Sequence, residues 1–154
     1  MVNSYKIRAG RPEDAEEMTR LAFRSKAYWG YPDEWLSAWN EELTVTVELL
    51  KNSISCVVES NGKIIAFWNR PVIETEEVTA GLLSVAPEYI RQGYGRMLWK
   101  SIKQEALNRG ISSFTIEADP NALPFYLKLG ASVIREQESK LIPGRILPVV
   151  RFKF

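Results

Sequence analysis

Apolar residues recur at every second position in some stretches of the chain and at every third or fourth in others, and the change between these periods predicts its elements. The opening YKIRAG alternates as a short strand. RPEDAEEMTRLAFRSK shifts to helical spacing, with Pro12 near the first turn, acidic residues Glu13, Asp14, Glu16 and Glu17 toward the N-terminus, and Ala15, Met18, Leu21, Ala22 and Ser25 on one face. YPDEWLSAWNEEL predicts a second helix, with Asp33 a candidate cap and Trp35, Leu36, Trp39 and Leu43 apolar. A further turn or two follows in TVELLKNS. The period then shortens: SISCVVES, the turn NGK and IIAFWNRP make a hairpin, because Asn61-Gly62 suits a type I′ turn. Past the loop VIETEE, VTAGLLSVAP predicts a strand ended by Pro87.

The longest helical pattern is RQGYGRMLWKSIKQEALNRG, with Tyr94, Leu98, Ile102 and Ala106 on one face and Gly110 as its stop. ISSFTIEADP predicts a strand, NALPFYLKLG a short helix with Asn121 a candidate cap and Gly130 its terminator, and ASVIREQE and ILPVVRFKF the last two strands. Strand, helices, three strands, helix, strand, helix, two strands is the pattern of an α/β (α+β) fold, a mixed sheet covered by helices. No internal repeat or low-complexity segment interrupts it.

Composition narrows the function classes. With 154 residues, 45% hydrophobic and 25% charged, the whole chain fits one globular domain. Twenty basic against nineteen acidic residues leave a net charge of +1, without a basic run, so no nucleic-acid partner is expected. MVNSYKIRAG has no apolar signal core and no stretch is long enough to cross a bilayer, which predicts a cytoplasmic protein with no membrane partner. The single Cys56 excludes an internal disulfide and reads as a buried structural thiol. The absence of histidine removes Ser-His and Cys-His nucleophiles and every His-containing metal site, so no metal is expected. Proton transfer is left to Tyr, Glu, Asp, Lys, water or the substrate.

One turn carries candidate chemistry. APEYIRQGYGR joins a strand to a helix, a setting in which helix N-terminal amides face outward and glycines admit a ligand close to the backbone. The dinucleotide fingerprint fails because its third glycine position holds Leu98, and no Gly-Lys-Ser or Gly-Lys-Thr occurs for a triphosphate loop. What remains is a short G-x-G turn flanked by Arg91, Gln92 and Arg96, either a diphosphate cradle or a plain helix-entry bend.

LLSVAPEYIRQGYGRMLWKSI resembles the acetyl-CoA-binding segment of the GNAT superfamily of N-acetyltransferases, whose pattern Q/R-x-x-G-x-G/A falls on Ile90, Gly93 and Gly95. Ile90 replaces the family's Gln or Arg. FTIEADPNALPFYLKLGASVIRE is similar to the family's second segment, a strand and then a helix with an aromatic pair before a glycine. The match runs in order along nearly the whole chain. It implies a GNAT-like mixed, mostly antiparallel central sheet with helices on both faces, and acetyl-CoA as co-substrate.

By that resemblance, Leu83 and Val85 offer backbone groups to the pantetheine arm and the thioester. Arg91, Gln92, Gly93, Tyr94, Gly95 and Arg96 hold the diphosphate, and Asn121 bonds the pantetheine or serves only as a cap. Tyr126 matches the family's general acid, or is a core aromatic beside Phe125. The strand before the turn lacks the carboxylate many relatives use as base, which leaves Glu117 and Glu77 as candidates. Tyr28, Trp29, Tyr31 and Trp35 either wall an acceptor pocket or staple helices to the sheet. The implied activity is acetyl transfer to a primary amine of a small molecule or peptide; a non-catalytic acyl-CoA-binding sensor and an interaction protein using exposed aromatics are the rivals. Dimers are common in the family, so a homodimer is open.

Overall fold

The computed structural model describes residues 4–71 and 82–154. The expected loop VIETEE, the candidate base Glu77 and residues 78–81 of the expected strand VTAGLLSVAP therefore lie outside the described residues. Strand β1 (Tyr5–Arg8) leads through a single 3-10 turn into α1 (Ala15–Ala27). Three short helices follow, α2 (Asp33–Ala38), α3 (Asn40–Leu43) and α4 (Val47–Lys51). The hairpin β2 (Ser53–Ser60) and β3 (Lys63–Pro71) precedes β4 (Leu82–Val85) and α5 (Tyr94–Asn108). The chain ends with β5 (Ser113–Glu117), α6 (Leu123–Lys128), β6 (Ser132–Glu138) and β7 (Ile146–Lys153).

The hairpin turn forms as its chemistry requires: Asn61 and Gly62 both take positive φ, 52° and 76°. Strands β1-β2-β3-β4 make one antiparallel sheet and β5-β7-β6 a second. Among the described residues no ladder joins β4 to β5, so the central sheet is split between them. That split is the feature on which the site depends.

Both faces of the β2–β3 hairpin are buried, and alternation along its strands sorts the core into two halves. On β3, Phe67 faces α1 with Met18, Leu21, Trp39 and Leu43, while Trp68 faces α5 with Leu98, Trp99 and Ile102. Both β3 rings are fully buried, and each contributes roughly 2 kcal/mol by leaving water. Tyr94, Leu98, Ile102 and Ala106 form the inner face of α5 as the spacing predicts, joined by Trp99.

Three sequence expectations change. The helix expected over 31–43 is two, broken at Trp39, which leaves helical geometry (ψ 7°) to bury its indole to 3% exposure. Asp33 is not its cap: Pro32 holds that position and Asp33 is the first helical residue. Asn121 caps nothing, because Ala122 holds the cap position of α6 and the Asn121 side chain bonds Tyr31 instead.

Candidate active site

The split between β4 and β5 has the glycine turn at one end. The Ala86 N–H donates to Ile65 O at 2.8 Å, which turns the Val85 N–H to the opposite, open edge, where it meets Ser25 Oγ at 3.3 Å. A 3-10 turn over Pro87–Tyr89 and an extended Ile90 then carry the chain to α5. Gly93 caps that helix with φ 90°, a conformation only glycine adopts without strain, and nothing lies within 4 Å of the place its Cβ would take. Arg91 reaches φ 66° despite its side chain, so the turn is strained as well as open.

No side chain caps α5 and its first turn holds no carboxylate. The earliest bond into the helix runs from the Met97 N–H to Gly93 O at 3.2 Å, which leaves the preceding amides for an outside acceptor. Of the flanking side chains, Gln92 folds back to donate to Glu88 O at 3.1 Å, whereas Arg91 and Arg96 are exposed and make no ion pair among the described residues. The Tyr94 ring turns inward, edge-on to Tyr5 and Tyr89, so only its main chain faces the turn. Gly95 is glycine for a different reason: a Cβ there would stand 2.9 Å from the Phe125 ring. The turn is thereby seated against α6.

At the other end of β4 lies a cavity of about 250 Å³ lined in part by Leu83, Trp29, Glu117, Tyr126, Lys26 and Arg145. The Tyr126 ring packs 6.0 Å from both Trp68 and Phe152, its hydroxyl bonds to no described residue, and burial pushes its pKa well above the ordinary phenol value, with Asp119 adding to the rise. Glu117 accepts from Gln137 Nε2 at 2.9 Å; burial first, and then Glu42, raise its pKa against the opposing pull of Lys140, Arg145 and Arg135. Both candidate catalytic residues thus share one cavity.

The expected aromatic wall divides. Trp29 borders the cavity, while Tyr28 packs edge-on against it at 5.0 Å and is half exposed. Tyr31 turns inward, stacked on Trp35 and edge-on to Trp39. Its hydroxyl donates to the Asp119 carboxylate at 2.8 Å and accepts from Asn121 Nδ2 at 2.8 Å and Arg145 Nη2 at 3.0 Å. Burial and Asp119 push the Tyr31 pKa up to about 12.

Asp119 also accepts from Lys26 Nζ at 2.6 Å and the Asn121 N–H at 2.8 Å. Burial pulls its pKa upward, but Lys26, the Asn121 amide and Tyr31 outweigh it and hold the carboxyl below its ordinary 3.8. Lys26 and Arg145 lie over the faces of Tyr31 and Trp39 at 4.5–5.3 Å from the ring centroids. Lys26, Asp119 and Arg145 are site residues that sequence reasoning missed. The one local signal was an Asp two residues past a strand; nothing in the sequence announces that Arg145 meets a tyrosine 114 positions away. Among the described residues no group of three or more acidic or Cys side chains is placed to hold a metal ion, and no helix is long and apolar enough to cross a membrane.

The sequence model of the acetyltransferase (GNAT) family matches residues 16–131. The fold is similar to that of a PaiA N-acetyltransferase from Thermoplasma acidophilum in complex with coenzyme A, at TM-score 0.79 and 20% identity over 98% of this chain and 99% of that one. It is likewise similar to the ribosomal-protein-S18-alanine N-acetyltransferase of Escherichia coli, at TM-score 0.71 and 21% identity over 97% and 94%. A third likeness is to yncA of Salmonella typhimurium with its cofactor acetyl-CoA, at TM-score 0.70 and 17% identity over 97% and 94%. No curated protein matches the sequence.

Proposed function

We propose, from the premise that this chain belongs to the acetyltransferase (GNAT) family, that it transfers an acetyl group from acetyl-CoA to a primary amine by direct attack in a ternary complex. One observation carries the reading: the split beside β4 has an uncapped helix N-terminus at one end and Tyr126 with Glu117 on a cavity at the other. When bound, acetyl-CoA supplies an acyl group activated as a thioester, whose sulfur departs as thiolate.

The amides from Gln92 to Arg96 would hold the diphosphate at the positive end of α5, with Arg91 and Arg96 as added cations. Ile90 brings no polar contact, so the backbone carries most of this binding. Leu83 and Val85 present main-chain groups along the open edge of β4 to the pantetheine arm. Asn121 has its amide near that path but bonds Tyr31 in this structure, and it would exchange that partner for the arm.

At the cavity, Glu117 takes the proton from the incoming ammonium. A carboxylate whose pKa is raised by burial does this better than one on the surface. Tyr126 keeps its own proton throughout the working pH range, because burial raises its pKa, and so donates a hydrogen bond to the departing sulfur. The incoming ammonium gains the acetyl group and loses two protons, one to Glu117 before attack and one after it, while the departing thiolate takes up one. The net products are the acetamide, free CoA thiol and one proton. A cytoplasmic setting suits the single buried thiol, Cys56.

The test is release of free thiol from acetyl-CoA against a panel of amines, polyamines, amino acids and peptides. Release that depends on the acceptor is expected. Tight CoA binding without release for any acceptor would replace the enzyme by an acyl-CoA-binding sensor.

A further inference from the structure

The cluster around Asp119 carries more positive charge than it can neutralise. Lys26 and Arg145 are both within ion-pair distance of Asp119, at 2.6 and 3.5 Å, and it is the one carboxylate so placed among the described residues. Tyr31, with its pKa pushed to about 12, adds no negative charge at working pH. One net positive charge is left on side chains that are only 21% and 10% exposed, beside a carboxylate that is 17% exposed. Arg145 also acts at longer range on Glu117, but no ion pair of Lys26 or Arg145 with a second carboxylate forms among the described residues. A charge so weakly compensated out of water is costly.

The faces of Tyr31, Trp35 and Trp39 offset part of that cost, since each attracts a cation above it. They do not satisfy hydrogen bonds. Arg145 has five N–H donors and uses only Nη2 toward side chains, and Lys26 uses one bond of three. Both residues border the cavity that holds Glu117 and Tyr126. The cavity therefore carries Lys26, Lys140 and Arg145 as cations and Glu117 and Glu42 as carboxylates that form no ion pair with Lys26 or Arg145 among the described residues.

We propose that the acceptor bears a carboxylate as well as its primary amine, so that its chemical class is an amino acid, with the carboxylate seated against Lys26 and Arg145 and the amine beside Glu117. This rests on the acetyl-transfer reading above. A guanidinium presents paired donors that suit a planar carboxylate, and a desolvated site rejects an analogue that leaves those donors unpaired. A diamine would instead bring its second ammonium against Lys26 and Arg145, where like charges repel.

Thiol release is measured with the common amino acids, with the amide of each, and with the amine that lacks the carboxyl group. The acid is expected to exceed its amide by about tenfold in kcat/KM, with Arg145→Gln reducing that preference to roughly twofold. Lys26→Met, on a different element, should reduce it in the same direction. If decarboxylated amines or diamines are used as well as the acids, or if both variants keep the preference, the inference is overturned while acetyl transfer stands.

A binding arm does not depend on turnover. Calorimetric titration of the CoA-loaded protein with the same compounds should show heat for at least one acid, none for its amide, and loss of that heat in Arg145→Gln and Lys26→Met. Equal binding of acid and amide, or no binding of any acid, overturns the inference whatever the assay for transfer shows.

Discussion

The glycine turn and the cluster around Asp119 serve the same split in the sheet, yet they are built in opposite ways. The turn is contiguous, from Ile90 to Arg96, and presents main-chain amides by means of two residues at positive φ. The cluster draws Lys26 from α1, Tyr31 from the loop after it, Asp119 from two residues past β5 and Arg145 from the turn before β7, and is held together by side-chain charge and hydrogen bonds. A backbone device needs particular residues at particular spacings, so it is written locally. A charge cluster needs only that the fold bring its members together.

The comparison breaks most severely at Asp119. Asp119→Ala leaves Lys26 and Arg145 facing each other without a counter-charge and should cost about 3 kcal/mol in urea unfolding. A companion effect has a definite sign. Because the folded-state pKa of Asp119 lies below 3.8, its stabilising contribution is fully present above that value and is lost as pH falls through the lower folded value. Asp119→Asn should remove that part of the acid limb of stability.

Next in size is Tyr126→Phe, expected to lower kcat about a hundredfold while CoA affinity stays within error, measured by steady-state assay and calorimetry. Glu117→Gln should act on the pH profile instead. With Glu117 as the proposed base, the rate should rise as it loses its proton; because burial and Glu42 raise its pKa, that rise should lie above the range of an exposed glutamate in the protein and be absent from the variant.

Gly93→Val forces a β-branched side chain to φ 90° and crowds the open face of the turn, so CoA affinity should fall roughly tenfold by calorimetry. Arg91→Ala is the smallest change, about two- to threefold in CoA affinity, because an exposed arginine adds little to what the amides already hold. If Arg91→Ala weakened CoA more than Gly93→Val, the turn would be a side-chain device and the contrast between the regions would fail.

How much could be read in advance follows the same division. Asn61-Gly62, the α5 face of Tyr94, Leu98, Ile102 and Ala106, and the stop at Gly110 were all legible, since local period and turn chemistry determine them. Trp39 was not, because burying its indole outweighed the propensity of the residues around it to continue one helix. Asn121 was misread as a cap because Asn before a helical pattern is the ordinary signal. Its amide is instead claimed by Tyr31, a residue 90 positions away that no local pattern connects to it. Gly95 was legible as part of the motif, although its reason, the contact with Phe125, belongs to tertiary structure.

The central claim is that cofactor and acceptor are held by separate devices at the two ends of β4. Initial rates with acetyl-CoA and an accepted amine, both varied, for the wild type, Gly93→Val and Arg145→Gln test it most directly. The account predicts that Gly93→Val raises the KM for acetyl-CoA about tenfold and leaves that for the amine nearly unchanged, and that Arg145→Gln does the reverse. Variants that raise both constants together, or an Arg145→Gln protein impaired chiefly toward acetyl-CoA, would contradict it.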